Sequence, residues 1–578
     1  MKKIGFLILI LVLGTCLVGC KTTDGYEDSR TFMAFGTFVE VTLWFDEDNA
    51  TNRSAAENAF AEMKTVIDKL EVCLSADDVN GDAARFNAAD AGEKVRIEPL
   101  TAECFKTAQT VFNATDGAYN PAVYNLVDLW GFSARRWEGT TDVVYPYDRD
   151  DGSLPQQKYI DAFILLADFE NIVFSEDGGE FYLKKPDTTV TVDGQVYTVK
   201  IDFGGICKGF ATDKLKAIAE KYGVDKGNIV SGMSSVTYLG NDADNAVDLV
   251  NPVDGSVLLT KNNVGKSISV SGDYQRFFTY EGRNYCHIID ASTGYPTETG
   301  ARTVFAECDS AAVCDGVTTA LMTFDATKIA LFADGEAAKT LGVRSVISVF
   351  EKGAKLSVYT NSPDVKIKSS NAVKYSFTVD GGEVSFTGQS GYGWLWGVAA
   401  AIAIIAVVVA LAVKNGKKKD DISSKSADFK TLKFFKPFDV VLYVAVVVVV
   451  AGVFVGVGVA FKSEEWSRTE VWCEGVMACY FDNETRRLVV LSNDWAERLA
   501  VDEKDGVTTL TVYFDDEKTE FNKILFEEGK VTMLDSSCRG RDCVKAANTV
   551  TRANQIVICM PHALKVAGVG NSGNKEVR

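Results

Sequence analysis

Histidine is almost missing from this chain. Among 578 residues, only His287 and His562 carry an imidazole. A histidine-rich metal centre is therefore excluded, and any general base is one of these two residues or a carboxylate. An excess of positive charge is missing too, because the formal net charge is −19. Nucleic-acid binding needs a basic footprint, so that partner class is excluded. A phosphorylated ligand stays open to an acidic protein through a local lysine, backbone N–H groups and a metal ion. The 13 cysteines are odd in number and scattered, which is not a dense disulfide framework. There is no internal repeat, and no low-complexity tract beyond one lysine-rich stretch. The chain is 47% apolar and 24% charged, so most of it is globular. Its length exceeds one core and implies three or four units.

The N-terminus reads Met1-Lys2-Lys3, then an apolar run from Ile4 to Val18. This is a secretory signal rather than part of the fold, and it is short of the about 20 residues a membrane span needs. Leu17-Val18-Gly19-Cys20 resembles a bacterial lipobox, which implies a signal peptide over 1–20 and lipidation at Cys20. Two later runs, 394–413 and 438–461, are long enough to span and are expected to be transmembrane helices. The loop between them, 414–437, has eight lysines against three aspartates. The positive-inside rule makes it cytoplasmic. Both flanking regions then face outward, in agreement with the signal. The expected location is the cell membrane, lipid-anchored at Cys20 and spanning twice, with both globular domains extracytoplasmic.

A polar tether at 21–30 leads into a large domain, taken as 21–360. It opens on strand-like alternation at Thr37–Leu43. Apolar spacings of three and four predict helices near Ala55–Leu70, Ala102–Asn113 and Gly209–Tyr222. Ser267–Val270 and Arg302–Ala306 read as strands. Elements without regular βαβ alternation predict an α+β fold. Residues 361–393 read as a linker with some strand character. Residues 462–578, rich in Val, Thr and Phe with frequent turns, predict a small, mostly β domain.

Four segments carry candidate chemistry. Asp116-Gly117-Ala118-Tyr119-Asn120-Pro121 is a turn that presents an aromatic and an amide, followed by Trp130-Gly131-Phe132. Ile201 to Phe210 holds Gly204, Gly205, Lys208 and Gly209 ahead of a helix. It combines close backbone approach with a positively polarised helix start, although its spacing is neither a P-loop nor a dinucleotide fingerprint. Ser271-Gly272-Asp273-Tyr274 precedes His287-Ile288-Ile289-Asp290, where the imidazole is either a general base or a core histidine. In Cys314-Asp315-Gly316-Val317-Thr318-Thr319, Asp315 and Thr319 share one helix face. Both are hard oxygen donors suited to Mg²⁺.

In order and spacing, these segments resemble the ApbE family of FAD:protein FMN transferases. Phe35-Gly36-Thr37 and the stretch from Ser75 to Arg85-Phe86-Asn87 are similar as well, so the likeness covers about 31–350. It implies an ApbE-like, T-fold-type large domain. FAD would lie against Phe35, Ala118, Tyr119, Asn120, Asp202, Lys208 and Ile289. Mg²⁺ would be held by the Gly205 carbonyl, Asp315 and Thr319. His287 would help deprotonate a threonine on an acceptor protein of a membrane redox complex, and AMP would leave as FMN is transferred. Phe35 and Asn120 replace the family's usual Met and Asp. Asp77 stands where an aromatic is common, which bears on the balance between transfer and plain FAD hydrolysis.

The C-terminal region resembles a NusG domain II-like module, on Ser537-Cys538, Cys543-Val544 and Ile558-Cys559-Met560-Pro561. Cys538, Cys543, Cys559 and His562 are also readable as a zinc site. Their spacing fits no standard zinc pattern, and the expected outside location favours a disulfide or free thiols. Two other functions remain open. One is an FAD pyrophosphatase giving FMN and AMP. The other is a non-enzymatic, flavin-carrying subunit of a membrane electron-transfer complex.

Overall fold

The structure is a computed structural model. Apart from short gaps it describes residues 25–133, 154–384 and 466–577, and residues 1–24, 134–153 and 385–465 lie outside the described residues. The first two strands, Tyr26–Ala34 and Thr37–Phe45, pair antiparallel down to Ala34 opposite Thr37. That register leaves Phe35-Gly36 as a two-residue turn with φ of 55° and 65°. This is the primed hairpin turn that matches strand twist, and Gly36 takes its left-handed position without strain.

The helix Ala50–Leu74 follows. The Asn49 side chain caps it by accepting from the Asn52 N–H at 2.9 Å. Ala56, Ala59, Phe60, Met63, Ile67, Leu70 and Leu74 are buried at helical spacing, so one face is apolar.

The hairpin is one edge of a ten-stranded sheet. Its order continues through Lys226–Ser231, Ser235–Leu239, Ser267–Gly272, Ala301–Cys308, Val343–Lys352, Lys355–Thr360, Tyr375–Val379 and Gly382–Val384. Neighbours run antiparallel except Lys355–Thr360 beside Tyr375–Val379. The segment read as a linker with some strand character therefore supplies the last two strands of this sheet, with Gly382–Val384 at its edge.

Side chains alternate across the sheet. Val304 and Ala306 join the core beneath the helices Pro99–Ala114, Cys207–Lys221 and Ala311–Leu321. Phe305 points the other way, to a second core with Phe38, Ile268 and Ile347. The helices Ala50–Leu74 and Pro99–Ala114 are longer at both ends than apolar periodicity predicts, and Cys207–Lys221 starts earlier, since capping and terminal polar turns carry no apolar signal.

The C-terminal domain is two five-stranded sheets around one core, with the Phe481 and Phe526 rings stacked at 4.5 Å. It touches the large domain through Lys565, whose Nζ donates to Glu40 Oε2 at 2.8 Å and Thr31 Oγ1 at 3.1 Å.

One part of the expected fold class is corrected. Among the described residues, no helix is long and apolar enough to cross a membrane. The runs 394–413 and 438–461, on which the two transmembrane helices were expected, lie outside the described residues. The architecture stated from the structure is the α+β domain and the small β domain.

Candidate active site

Two helices build the site. The helix Ala311–Leu321 starts at Ser310, whose hydroxyl accepts from the Val313 N–H. The Asp213 carboxylate, from the helix Cys207–Lys221, accepts from the Ala311 and Ala312 N–H groups at 2.9 and 3.0 Å. A helix N-terminus favours such a carboxylate. The two helices approach so closely that a Cβ on Gly209 would lie 2.2 Å from the Ala311 carbonyl oxygen.

This contact lines up the oxygen donors. Asp315 is buried, and its Oδ2 accepts the Gly209 N–H at 3.1 Å. Thr319 Oγ1 lies 3.4 Å from the Gly205 carbonyl oxygen and 3.0 Å from the Asp315 carbonyl oxygen. The Tyr119 ring packs at Gly205, where an added Cβ would meet it at 3.2 Å. The Tyr119 hydroxyl is buried without a hydrogen-bond partner. A buried carboxylate, a hydroxyl and a carbonyl beside an orphaned phenol form a set that a hard divalent cation would satisfy. Gly205, Asp315 and Thr319 thus fit the metal role implied for them.

Electrostatics link the rest. Loss of solvent raises the Asp315 carboxyl, and the Lys208 ammonium opposes that rise. Asp202 is also raised by burial, against the N–H of Gly204 that donates to it at 2.7 Å. Asp77, Arg276 and Lys208 all act on Asp202, so these charged groups lie around it. Burial, then the Arg276 guanidinium, pushes His287 down to about 3. His287 Nδ1 sits 3.2 Å from the Arg276 carbonyl oxygen. A carbonyl only accepts, so Nδ1 carries the proton and Nε2 keeps its lone pair.

The remaining candidates differ in what their side chains do. Phe35 is half-buried at the hairpin turn, with its N–H donating to Glu71 Oε1 at 3.1 Å. The Arg276 guanidinium lies over the same turn, 3.6 Å from where a Gly36 Cβ would be. Ala118 is half-buried beside Tyr119, and Ile289 is buried in the ribbon Ile289–Asp290 paired with Tyr295–Pro296. Asn120 is tied to backbone at both ends of its amide, since its Oδ1 caps Ala122 at 2.8 Å and its Nδ2 donates to the Ala167 carbonyl at 2.9 Å. Asp77 accepts from the Tyr124 hydroxyl. Cys20 lies outside the described residues.

Sequence reasoning missed two supports. Asn87 braces Ile201 by accepting its N–H at 2.7 Å and donating to its carbonyl at 2.9 Å. This fixes the extended segment after the strand Gln195–Thr198 that leads to Asp202 and Gly205. The other support is Asp213, which looks like any surface acid on a helix. Only the Arg85-Phe86-Asn87 motif offered a signal for the first, and nothing local marks the second.

The chain is similar to known proteins in both of its domains. The family model described as ApbE family matches residues 35–341, and the NusG domain II model matches 444–572. The FAD:protein FMN transferase of Escherichia coli (strain K12) is 25% identical over 325 residues, which is 54% of this chain and 85% of that protein. The Buchnera aphidicola protein of the same name is 23% identical over 270 residues, covering 46% and 73%. Among solved structures, the Thermotoga maritima ApbE protein matches with a TM-score of 0.47 and 23% identity over 60% of this chain and 99% of that one. The flavin transferase ApbE of Vibrio cholerae matches with a TM-score of 0.45 and 18% identity over 58% and 98%.

Proposed function

The chain belongs to the ApbE family through residues 35–341, and on that premise we propose that it is an FAD:protein FMN transferase, the activity its relatives are named for. In this reading it uses Mg²⁺ and moves the FMN half of FAD onto a threonine of an acceptor protein in a membrane redox complex. AMP is released. The observation that carries the reading is that the Thr319 hydroxyl meets the Gly205 carbonyl while the Asp315 carboxylate, one turn earlier on the same helix, is held at the Gly209 N–H within electrostatic reach of Lys208.

Gly205, Asp315 and Thr319 would hold the metal, which supplies neutralisation of charge building on the pyrophosphate. Lys208 adds positive charge from the first turn of its helix, and Phe35, Ala118, Tyr119 and Ile289 border the flavin. His287 takes the proton of the threonine hydroxyl on Nε2, because Nδ1–H is held by the Arg276 carbonyl. The hydroxyl oxygen then bonds to the FMN phosphorus, and the P–O bond to AMP breaks. Burial, and after it the Arg276 guanidinium, keeps the imidazole neutral, so Nε2 is unprotonated before the threonine arrives.

We also propose that the enzyme works outside the cytoplasm on a lipid anchor at Cys20. The support is the Met1-Lys2-Lys3 start, the apolar run and the Cys20 tetrapeptide. Loss of fatty-acid labelling in Cys20→Ser tests it, and unchanged labelling refutes it.

The activity is tested by incubating the purified chain with FAD, Mg²⁺ and an acceptor domain, or its threonine-to-alanine variant. Covalent FMN on the first acceptor only, with matching AMP, is expected. AMP formed equally without acceptor, and no labelled protein, would make the enzyme an FAD pyrophosphatase. Covalent FMN on this chain itself would instead favour a flavin-carrying subunit.

A further inference from the structure

Far from the flavin site in sequence, the C-terminal domain gathers three buried thiols. Cys538, Cys543 and Cys559 are 6%, 2% and 1% exposed, and their sulfur atoms all lie within 4.8 Å of one another. They come from three places: the end of the strand Lys530–Ser536, the short helical turn Asp542–Val544, and the strand Ile556–Cys559. Chance clustering of three thiols inside one small core is not needed for packing, since the core already has Val471, Leu510, Ile524 and Val566 around it.

The distances have a specific meaning. Four ligands around Zn²⁺, with Zn–S of about 2.3 Å and Zn–N of about 2.0 Å, set S···S edges of about 3.8 Å and S···N edges of about 3.6 Å. Cys538 Sγ to Cys543 Sγ is 3.8 Å. Cys559 Sγ to His562 Nδ1 is 3.6 Å. Both distances match edges of a tetrahedral site, whereas a disulfide requires about 2.0 Å between sulfurs; the compact group is the three thiols, and His562 stands beside Cys559 at its rim.

The surroundings are built for thiolates. Asn522 Nδ2 donates towards Cys543 Sγ at 3.6 Å, and Ser536 Oγ lies 3.8 Å from Cys559 Sγ. The Asn522 Oδ1 lies 2.5 Å from His562 Nδ1, and the Phe514 ring stacks on the imidazole at 4.7 Å. His562 is thereby oriented at the rim of the thiol cluster. The other ring nitrogen, Nε2, lies 3.4 Å from Ser537 Oγ, and a hydrogen bond on the nitrogen that does not ligate is the usual companion of a histidine ligand.

We propose that Cys538, Cys543, Cys559 and His562 form a closed site for one thiophilic divalent cation, with Zn²⁺ as its natural class of occupant. Binding releases the protons of the three thiols and turns His562 Nδ1 from Asn522 to the metal. All four positions of the ion are then filled by protein, so the site is structural and ties two strand ends of the domain to the turn Asp542–Val544.

The test uses the full chain, purified under reducing conditions in detergent. Metal content is measured by mass spectrometry, and Co²⁺ is substituted as a spectroscopic probe. One Zn²⁺ per chain is expected, with Co²⁺ showing sulfur-to-cobalt charge transfer and the intense bands of tetrahedral coordination. Cys559→Ser and Cys543→Ser should lose the ion and the charge-transfer band. His562→Gln should keep the band with the ion bound at least about tenfold more weakly, as expected for loss of one ligand. Folding is followed by FMN transfer, which lies in the large domain, and by the shift of the unfolding temperature on adding Zn²⁺. Wild type should show that shift and the cysteine variants should not. A reduced wild-type chain that takes up no Zn²⁺ and gives no charge-transfer band overturns the proposal. So does a native Cys538–Cys543 disulfide found by peptide mapping in a metal-free chain.

Discussion

Gly209 donates its backbone N–H to the buried Asp315 carboxylate at 3.1 Å from a position where no side chain fits. Its Cβ would meet the Ala311 carbonyl at 2.2 Å, well inside contact distance. The glycine thus sets the spacing of the helices Cys207–Lys221 and Ala311–Leu321, and that spacing brings Gly205 to Thr319. In Gly209→Ala the helices must move apart. Overpacking of this kind costs about 1–3 kcal/mol, and FMN transfer should fall with it. Thermal unfolding and the transfer assay, run on the same preparation, check both effects.

Asp315→Ala should abolish FMN transfer while leaving the fold intact. Several kcal/mol of charge stabilisation are at stake, so the loss should be at least about 100-fold. Asp315→Asn keeps an acceptor for the Gly209 N–H and should be equally inactive, because the missing part is the charge. Near-normal transfer at saturating Mg²⁺ in either variant would remove Asp315 from the metal site.

His287 offers a prediction in pH. Its ring is pushed from the ordinary 6.5 down to about 3, first by burial and then by Arg276. The imidazole is therefore neutral across the working range. The rate should show no acid limb near the ordinary histidine value, and His287→Gln should lower kcat more than it raises KM. Stability carries the opposite signature. Below 6.5 the unfolded chain takes up a proton that the folded chain refuses until about 3. Stability therefore falls as pH drops through that window. Urea unfolding at neutral pH and inside the window should show wild type losing more than His287→Gln.

Lys565 is 2% exposed and paired with Glu40 across the two domains at 2.8 Å. Removing one partner of a buried pair leaves the other uncompensated, at a cost of roughly 3–5 kcal/mol. Glu40 is partly exposed, so Glu40→Gln should fall at or below the low end. Limited proteolysis should then separate the domains sooner than in wild type. Equal proteolysis rates would show that Lys565 does not hold them together.

Asn87→Ala leaves the N–H and carbonyl of Ile201 without their brace. An unsatisfied buried group costs about 1–3 kcal/mol. The variant should unfold at lower temperature and bind FAD more weakly, measured by flavin fluorescence. Asn87→Asp keeps only the acceptor half and should fall between.

Much was readable before any coordinates. The apolar spacing in Ala50–Leu74 and the alternation in Thr37–Phe45 are local signals, since burial repeats every 3.6 or 2 residues. The placement of Asp315 and Thr319 on one helix face needed only that period. The strands at Tyr375–Val379 and Gly382–Val384 were less legible, because they are short and their pairing partners are set by the sheet order rather than by a local pattern. The expected spans at 394–413 and 438–461 came from apolar length alone, and no described helix has that character.

Local chemistry along the chain was enough to determine the donors: a carboxylate, two hydroxyl-bearing neighbours, a glycine-rich helix start, a lone imidazole and the cysteines. Tertiary structure alone decided which of them meet. Gly205 and Thr319 are 114 residues apart, and their contact depends on two helices crossing on one sheet with Gly209 between them. Asp213 became a cap, Asn120 became a brace, and three thiols became one cluster for the same reason. Periodicity encodes which face of an element is buried, but the partner across the core is set by sheet order and helix spacing. Those are properties of the packed chain rather than of any segment within it.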